Sequence, residues 1–323
     1  MRPEKILVTG GAGFIGSHLA QRLLAMNYKV IVFDNESTGL RRNVPFGAEY
    51  VLGDVQHNKD LEPVFQLGID YVFHIAGQAS NINSFHDPIN DLTTNVVGTI
   101  NILQNCLNYR VPRILYASSM TVYGHPSKLP VSESETPRPI SYYGITKYAA
   151  ERYVMATAQR EDLSLKFNAT AFRMFNVYGE RQRLDNPYQG VFGFFLGNVL
   201  NDQPMNIHGD GQQTRDFIYI QDVVDAWIAS MNQPAAYGEV FNLGSGEGIT
   251  INKLADKILG VTGYTRSNYP ITYGPRRPGD QRHMAADIDK AKSILNWQPR
   301  ISLEAGLIQT ISWAKNEIRV VDK

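Results

Sequence analysis

One cysteine, Cys106, occurs in 323 residues. A lone thiol cannot close an internal disulfide, and this one falls in a helical pattern, where a small buried apolar residue is the expected role. That usage fits a reducing cytoplasm. The chain also lacks net charge: 31 lysines and arginines balance 31 aspartates and glutamates. Nothing in that balance calls for a polyanionic partner, so no nucleic acid is expected. Long apolar runs are missing too. The longest, Val191–Leu200, is interrupted by glycine and is too short to cross a bilayer, so no membrane partner is expected. With a first strand read near residue 5, no secretory leader is expected. No repeat, low-complexity tract or charge block occurs, and no metal site is expected.

An apolar content of 43% suits two closely packed domains or one large domain with a cap. Lys5–Val8 is a run long enough for one buried strand. Gly10, Gly13 and Gly16 follow at the spacing of a dinucleotide fingerprint. Gly10 permits the tight turn, Gly13 lets backbone approach a pyrophosphate, and Gly16 allows close packing of helix on strand. The next helix is expected over Phe14–Asn27, with Ile15, Leu19, Leu23 and Leu24 on one face. Its first N–H groups and partial positive charge suit phosphate. Lys29–Phe33 reads as a second strand ending at Asp34, 18 residues after Gly16. An acid there accepts from ribose hydroxyls and repels a 2′-phosphate, which favours NAD over NADP. Arg41 and Arg42 would argue for NADP, but they lie beyond the strand end. Glycine patterns of this kind often mark ordinary loops; a preceding strand, a following helix and an acid in register set this one apart.

Strand and helix signals alternate onward: strands at Tyr71–Ile75, Arg113–Ala117 and Ala169–Phe175, helices at Pro88–Asn108 and Ser141–Arg160. The expected class is α/β, a Rossmann-type doubly wound parallel sheet with a smaller mixed α/β substrate-binding domain. Residues 1–175 form the NAD-binding domain, with a returning segment at about 218–243; residues 176–217 and 244–323 form the second. Ligands bind at the carboxyl ends of such strands, so the informative loops begin near Thr9, Asp34, Asp54, Ala76, Ser118 and Phe175. Beyond residue 176 the pattern loosens, as in Pro187–Gly190 and Tyr273–Asp280.

Tyr143 and Lys147 stand four residues apart and share a face on a helix. An ordinary phenol, with a pKa of about 10, is a poor base at neutral pH. A neighbouring ammonium and a cationic nicotinamide stabilise the phenolate. Tyr143 could then accept a hydroxyl proton while hydride leaves the same carbon, with Lys147 also holding the nicotinamide ribose. Ser119 is placed to hydrogen-bond the reacting oxygen. Tyr142 is the rival, but it lies on another face.

Several segments carry a family resemblance. The Thr9–Gly16 loop, Asn95, Ser118-Ser119-Met-Thr-Val-Tyr-Gly124 and the Tyr143/Lys147 pair resemble the extended short-chain dehydrogenase/reductases. Arg173-Met-Phe-Asn176-Val-Tyr-Gly, Gly209–Tyr219, Arg277-Pro-Gly-Asp280 and Ala286-Asp287 resemble the nucleotide-sugar branch, especially UDP-sugar 4-epimerases. The resemblance implies cofactor contacts from Gly10, Gly13, Phe14, Ile15, Gly16, Asp34, Asn35, Asp54, Val55, Ala76, Asn95, Tyr143 and Lys147. It implies that Asn176, Arg215 and Arg277 hold a sugar-nucleotide diphosphate, that Asp280 binds the nucleoside ribose, and that Val191 and its neighbours line the base pocket. Ser119, Met120 and Thr121 would face the sugar. An ion pair of Arg215 with Asp216 or Asp210 is the competing role for that arginine. The implied reaction inverts C4 of a UDP-hexose, glucose/galactose or N-acetylated, through a transient 4-keto sugar, and a homodimer built on helices 88–108 and 142–160 is expected.

Departures narrow the reading. Related dehydratases and decarboxylases carry acids at one or both positions after the serine, because elimination needs a further proton donor and acceptor. Met120 and Thr121 cannot serve. Gly77 stands where the family often has alanine. Met284 matches a position that decides whether a 2-N-acetyl group fits, and methionine leaves that open. Arg181 and Arg183 could pair with a uronate carboxylate or simply be solvated, so UDP-glucuronate 4-epimerisation, or epimerisation of another nucleotide sugar or carbon, is the alternative. A non-catalytic NAD-binding regulator is a different class, which the complete Ser119/Tyr143/Lys147 set disfavours.

Overall fold

The computed structural model of the protein describes residues 3–185 and 190–321. Of the Pro187–Gly190 stretch, only Gly190 lies within the described residues. The chain opens with β1 (Lys5–Thr9), α1 (Phe14–Ala25), β2 (Lys29–Asp34), β3 (Glu49–Leu52), α2 (Asn58–Phe65) and β4 (Tyr71–His74). It continues through α3 (Asn81–His86), α4 (Pro88–Leu92), α5 (Gly98–Asn108), β5 (Arg113–Ser119), α6 (Tyr142–Ala158), β6 (Asn168–Met174) and β7 (Asn176–Tyr178). Then come α7 (Val191–Leu200), β8 (Met205–His208), β9 (Thr214–Tyr219), α8 (Ile220–Met231), β10 (Glu239–Leu243) and β11 (Gly248–Thr250). The last elements are α9 (Ile251–Thr262), β12 (Ile271–Gly274), α10 (Asp289–Leu295) and α11 (Leu303–Val321).

Seven strands form one sheet in the order β10-β6-β5-β4-β1-β2-β3, parallel throughout. Parallel strands are joined by crossover helices that cover both faces, so central strands are apolar on both sides. In β1, Ile6 and Val8 enter one apolar cluster and Leu7 the other, the period of two expected of a strand. The first cluster runs on beneath α8, where Trp227 packs on Phe73 and Phe172 with ring centroids 5.9 and 4.7 Å apart. The second packs under α2, α5 and α6. Because every strand points the same way, Thr9, Asp34, His74, Ser119 and Met174 all end at one edge, and the order reverses between β1 and β4. That reversal opens the crevice.

The expected Pro88–Asn108 helix is interrupted. α4 ends at Leu92, a π-helical turn occupies Thr93–Val97, and α5 resumes at Gly98. Asn95 sits inside that turn. Such turns concentrate at functional sites because the widened backbone re-aims a side chain. The expected Ser141–Arg160 helix begins one residue later, with Ser141 as its cap: the Gly144 N–H donates to the Ser141 hydroxyl at 3.1 Å. β3 and α2 are additions to the sequence reading. The first is a four-residue edge strand, and the second contains Pro63 near its end.

Beyond β6 the chain builds a three-stranded sheet, β11-β9-β7, and a two-stranded one, β12-β8. β10 returns to pair with β6 along the main sheet, and α8 joins α1 through an Arg22–Asp225 ion pair of 2.7 Å.

Candidate active site

A cleft of about 630 Å³ runs along the carboxyl edge of the main sheet and under the smaller sheets. Its cofactor half starts at the glycine loop. Gly10 has a φ of +67°, and a Cβ there would stand 2.7 Å from the Ala76 backbone nitrogen. A Cβ on Gly16 would stand 2.2 Å from the Gly10 carbonyl oxygen, so Gly16 packs behind the wall rather than lining it. Gly13 caps α1 without a side chain, leaving the N–H groups of the first turn, including Phe14 and Ile15, turned to the cleft.

Asp34 lines the cleft and is largely buried. The Ala12 N–H donates to its Oδ2 at 3.0 Å and the Glu36 N–H to its Oδ1 at 2.8 Å. Burial pushes its pKa up while these backbone donors pull it down. Each oxygen keeps a lone pair for a ribose hydroxyl. Arg41 instead lies over the Tyr50 ring at 3.5 Å, and Arg42 pairs with Glu317 at 3.5 Å; neither lines the cleft. Asn35, Asp54 and Val55 complete this end, with the Asn35 amide donating to Asp54 at 2.8 Å.

Tyr143, Lys147 and Ser119 meet mid-cleft with Ala76, Met120 and Thr121. Tyr142 points away and is half exposed against Phe85, so Tyr143 is the phenol the cleft receives. Burial pushes the Tyr143 phenol up to about 12, and the Ser119 hydroxyl beside it pulls the other way. Burial pushes Lys147 down to about 7, opposed by the charges of Asp91 and Glu151. Its ammonium lies 4.5 Å above the Tyr116 ring. A positive charge bound nearby would draw the phenol down from its value here.

Asn95 stands behind this wall. Its amide nitrogen donates to Gln78 O, Asp91 Oδ1 and Thr146 Oγ1, each at 3.1 Å. Its Oδ1 is buried without a partner. A Cβ on Gly77 would stand 2.8 Å from that oxygen and 3.6 Å from Lys147 Nζ, so only glycine lets the wall of the cleft pack directly on the two polar groups.

The far half holds Asn176, Val191, Arg215, Arg277 and Asp280. Arg215 pairs with Asp280 across the wall, not with Asp216 or Asp210. Asp216 accepts from Ser245, Gly246 and Ala286, while Asp210 pairs with Arg282 and Arg276. Met284 is not part of the wall. It is fully buried in the core, its N–H donating to Thr214, and it is absent from the cleft lining. Arg181 and Arg183 both reach the cleft; Arg183 pairs with Asp185 at 2.6 Å, whereas Arg181 Nη1 is buried without a partner.

Two features escaped the sequence reading. Asp91, wholly buried, accepts from Gln78, Asn95 and Thr146. Beneath Ser118, Glu151 takes a bidentate pair with Arg173 at 2.6 and 3.0 Å and a hydrogen bond from the Ser118 hydroxyl at 2.6 Å. Arg173 continues to Tyr123, and Tyr123 to Asn242 on β10. Only the position of Asp91, four before Asn95 on a helical pattern, hinted at this in the sequence.

The residues fit a dinucleotide. Gly10 and Gly13 leave the cradle open, and the orphaned Asn95 Oδ1 is a buried acceptor that lacks a donor in the protein itself.

Comparisons agree with that geometry. A UDP-glucose 4-epimerase of Mycolicibacterium smegmatis is 34% identical over 321 residues, covering 97% of this chain and 99% of its own. UDP-glucuronic acid decarboxylase 1 of Arabidopsis thaliana is 34% identical over 323 residues, 97% of this chain and 70% of its own. The crystal structure of UDP-glucose 4-epimerase with UDP-glucose from Thermotoga maritima has a TM-score of 0.92 at 38% identity, covering 97% of this chain and 99% of that one. Residues 6–244 match the NAD dependent epimerase/dehydratase family. The chain belongs to that family and is an NAD-dependent enzyme of its epimerase type.

Proposed function

We propose that this protein inverts C4 of a UDP-hexose through a transient 4-keto sugar. One observation carries the reading. Ser119, Tyr143 and Lys147 meet at the seam between the Asp34 half and the Arg215/Arg277/Asp280 half of the cleft, with no acid beside Ser119. The two carboxylates whose charges act on Lys147, Asp91 and Glu151, are buried and do not line the cleft. Dehydration or decarboxylation would need such a group in reach of the sugar. The relatives named for UDP-glucose epimerisation support the same nucleotide and sugar.

In this scheme Asn176, Arg215 and Arg277 hold the diphosphate, the guanidinium forks matching its oxygens. Asp280 takes the nucleoside ribose, and Val191 borders the base. Ser119 hydrogen-bonds the sugar O4, and Tyr143 accepts its proton. Lys147 steadies the phenolate and the cofactor ribose, while Asp34 takes the adenosine ribose. Bound NAD supplies the hydride acceptor and, once reduced, the donor. Tyr143 returns the proton after the 4-keto sugar has turned about its phosphate linkage, so the enzyme ends each cycle unchanged. Residues 1–175 with the returning 218–243 segment serve as the cofactor domain, the remainder as the sugar-nucleotide domain.

The outer face of α4, the π turn and α6 exposes Ile89, Leu92, Val97, Ile145 and Tyr153, which supports a homodimer through these helices. The single buried thiol supports a cytoplasmic location. Among the described residues no helix is long and apolar enough to cross a membrane.

Incubation with NAD and either UDP-glucose or UDP-N-acetylglucosamine, followed by anomeric proton NMR, tests the reading. A galacto-configured product supports it; no conversion of either sinks it. A second reading rests on Arg181. Its buried Nη1 without a partner suits a uronate carboxylate, and UDP-glucuronate in the same assay tests that.

A further inference from the structure

Asp91 is a carboxylate with no exposure to solvent, and no ion pair holds it among the described residues. Its Oδ1 accepts from the Gln78 amide at 2.7 Å and from the Asn95 amide at 3.1 Å; its Oδ2 accepts from the Thr146 hydroxyl at 2.7 Å. These donors come from three places: the loop after β4, the π turn and α6. Gln78 lines the cleft, Asn95 backs it, and Thr146 precedes Lys147.

An ionised carboxylate only accepts. Each neighbour must therefore turn a donor towards it. Asn95 presents its NH2 and so turns Oδ1 to Gly77, which lines the cleft and whose missing Cβ lets the oxygen come close. The Thr146 hydroxyl gives its proton to Asp91 and its lone pair to Asn95. A neutral amide at position 91 would bring donors of its own and break this one-way pattern.

The charge matters as well. Lys147 is buried with no carboxylate within ion-pair distance among the described residues. The groups around it are Tyr143 and Glu151 on its own helix, Tyr116 on β5, His74 on β4, Asn95 across Gly77, and Asp91. Glu151 is already engaged by Arg173 and Ser118. His74 is neutral, held at about 3 by burial and by Lys147 itself. Asp91 is the strongest charge opposing the desolvation of Lys147.

We propose that Asp91 is a positioning residue: its acceptor-only carboxylate turns Asn95 Oδ1 and the Thr146-bearing helix towards the cofactor and supplies the buried counter-charge to Lys147. The proposal rests on Tyr143 and Lys147 acting as the catalytic pair.

The full-length chain carrying Asp91→Asn, Asp91→Glu or Thr146→Val is tested by NAD titration calorimetry and by the pH profile of kcat. With Asp91→Asn, the NAD Kd rises about tenfold, and the alkaline limb of kcat, where Lys147 loses its proton, moves about one pH unit lower. Asp91→Glu restores the limb because the charge returns. Thr146→Val weakens NAD severalfold but leaves the limb in place. An Asp91→Asn protein with unchanged NAD Kd, or with kcat lowered evenly across pH, overturns the proposal. If Asp91→Asn does not fold, Thr146→Val decides: an unchanged NAD Kd overturns it. Should the wild type convert no UDP-sugar, the C4 reading fails, while the NAD arm still decides whether Asp91 orients the cofactor wall.

Discussion

Ser119 accepts two hydrogen bonds from Thr121, one from its N–H at 3.3 Å and one from its hydroxyl at 3.0 Å. With both acceptor directions used, the remaining Ser119 O–H is left to be donated into the cleft, towards Tyr143 or a substrate oxygen. On the proposed mechanism Thr121 would act on the chemistry through its neighbour.

That relationship makes Thr121→Val informative. The isosteric change removes one donor worth about 1 kcal/mol and should lower kcat about fivefold, with the substrate KM little changed. Thr121→Ser keeps the donor and should stay near wild type. Steady-state kinetics on both variants would check this, and equal losses would show that the hydroxyl is not what matters.

Removing the phenol is the sharper change. Tyr143→Phe should cut conversion by about 100-fold or more while NAD still binds. Activity is followed by NMR and binding by calorimetry.

The glycine loop gives a steric prediction. Gly16→Ala places a methyl 2.2 Å from the Gly10 carbonyl, a backbone atom that cannot swing aside. We expect a loss of about 1–3 kcal/mol in urea unfolding and NAD affinity reduced about tenfold or more.

Arg215→Lys keeps the charge but loses the fork. A charge-assisted pair is worth about 1.5–3 kcal/mol, so the sugar-nucleotide KM should rise about tenfold or more. Competition assays with UDP would show the same loss, while NAD affinity stays put.

Lys147 also predicts a pH dependence of stability. Its folded pKa, about 7, lies below the unfolded value of about 10.4. Between those values the unfolded chain binds the extra proton, so this group makes the NAD-free protein more stable as pH rises from about 7 towards 9. Lys147→Met should flatten that rise. Urea midpoints at pH 7 and pH 9 for both proteins measure it; parallel slopes would contradict the buried ammonium.

What the sequence made legible was local. Gly10, Gly13 and Gly16 lie within one turn and helix start, and Tyr143 and Lys147 lie one helical turn apart, so spacing alone reports their geometry. Asp91 was not legible because its partners Gln78, Asn95 and Thr146 come from separate elements. The bond from Thr121 to Ser119 depends on the tight turn after β5, which no period reveals. Met284 shows a limit of motif position: the motif puts it beside the sugar, and the structure buries it in the core beyond the lining of the cleft. β3 was hidden because Glu49-Tyr-Val-Leu52 is too short for alternation to stand out.

The chain of bonds from Ser118 through Glu151, Arg173 and Tyr123 to Asn242 ties β5 to the far edge of the sheet. Its members are buried and each is held by a neighbour. The sheet floor next to Ser119 is therefore braced like a truss. In the proposed C4 inversion something must rotate relative to the hydride donor, and a braced floor would leave that motion to the sugar, with the protein as the stationary jig and its cargo as the moving part.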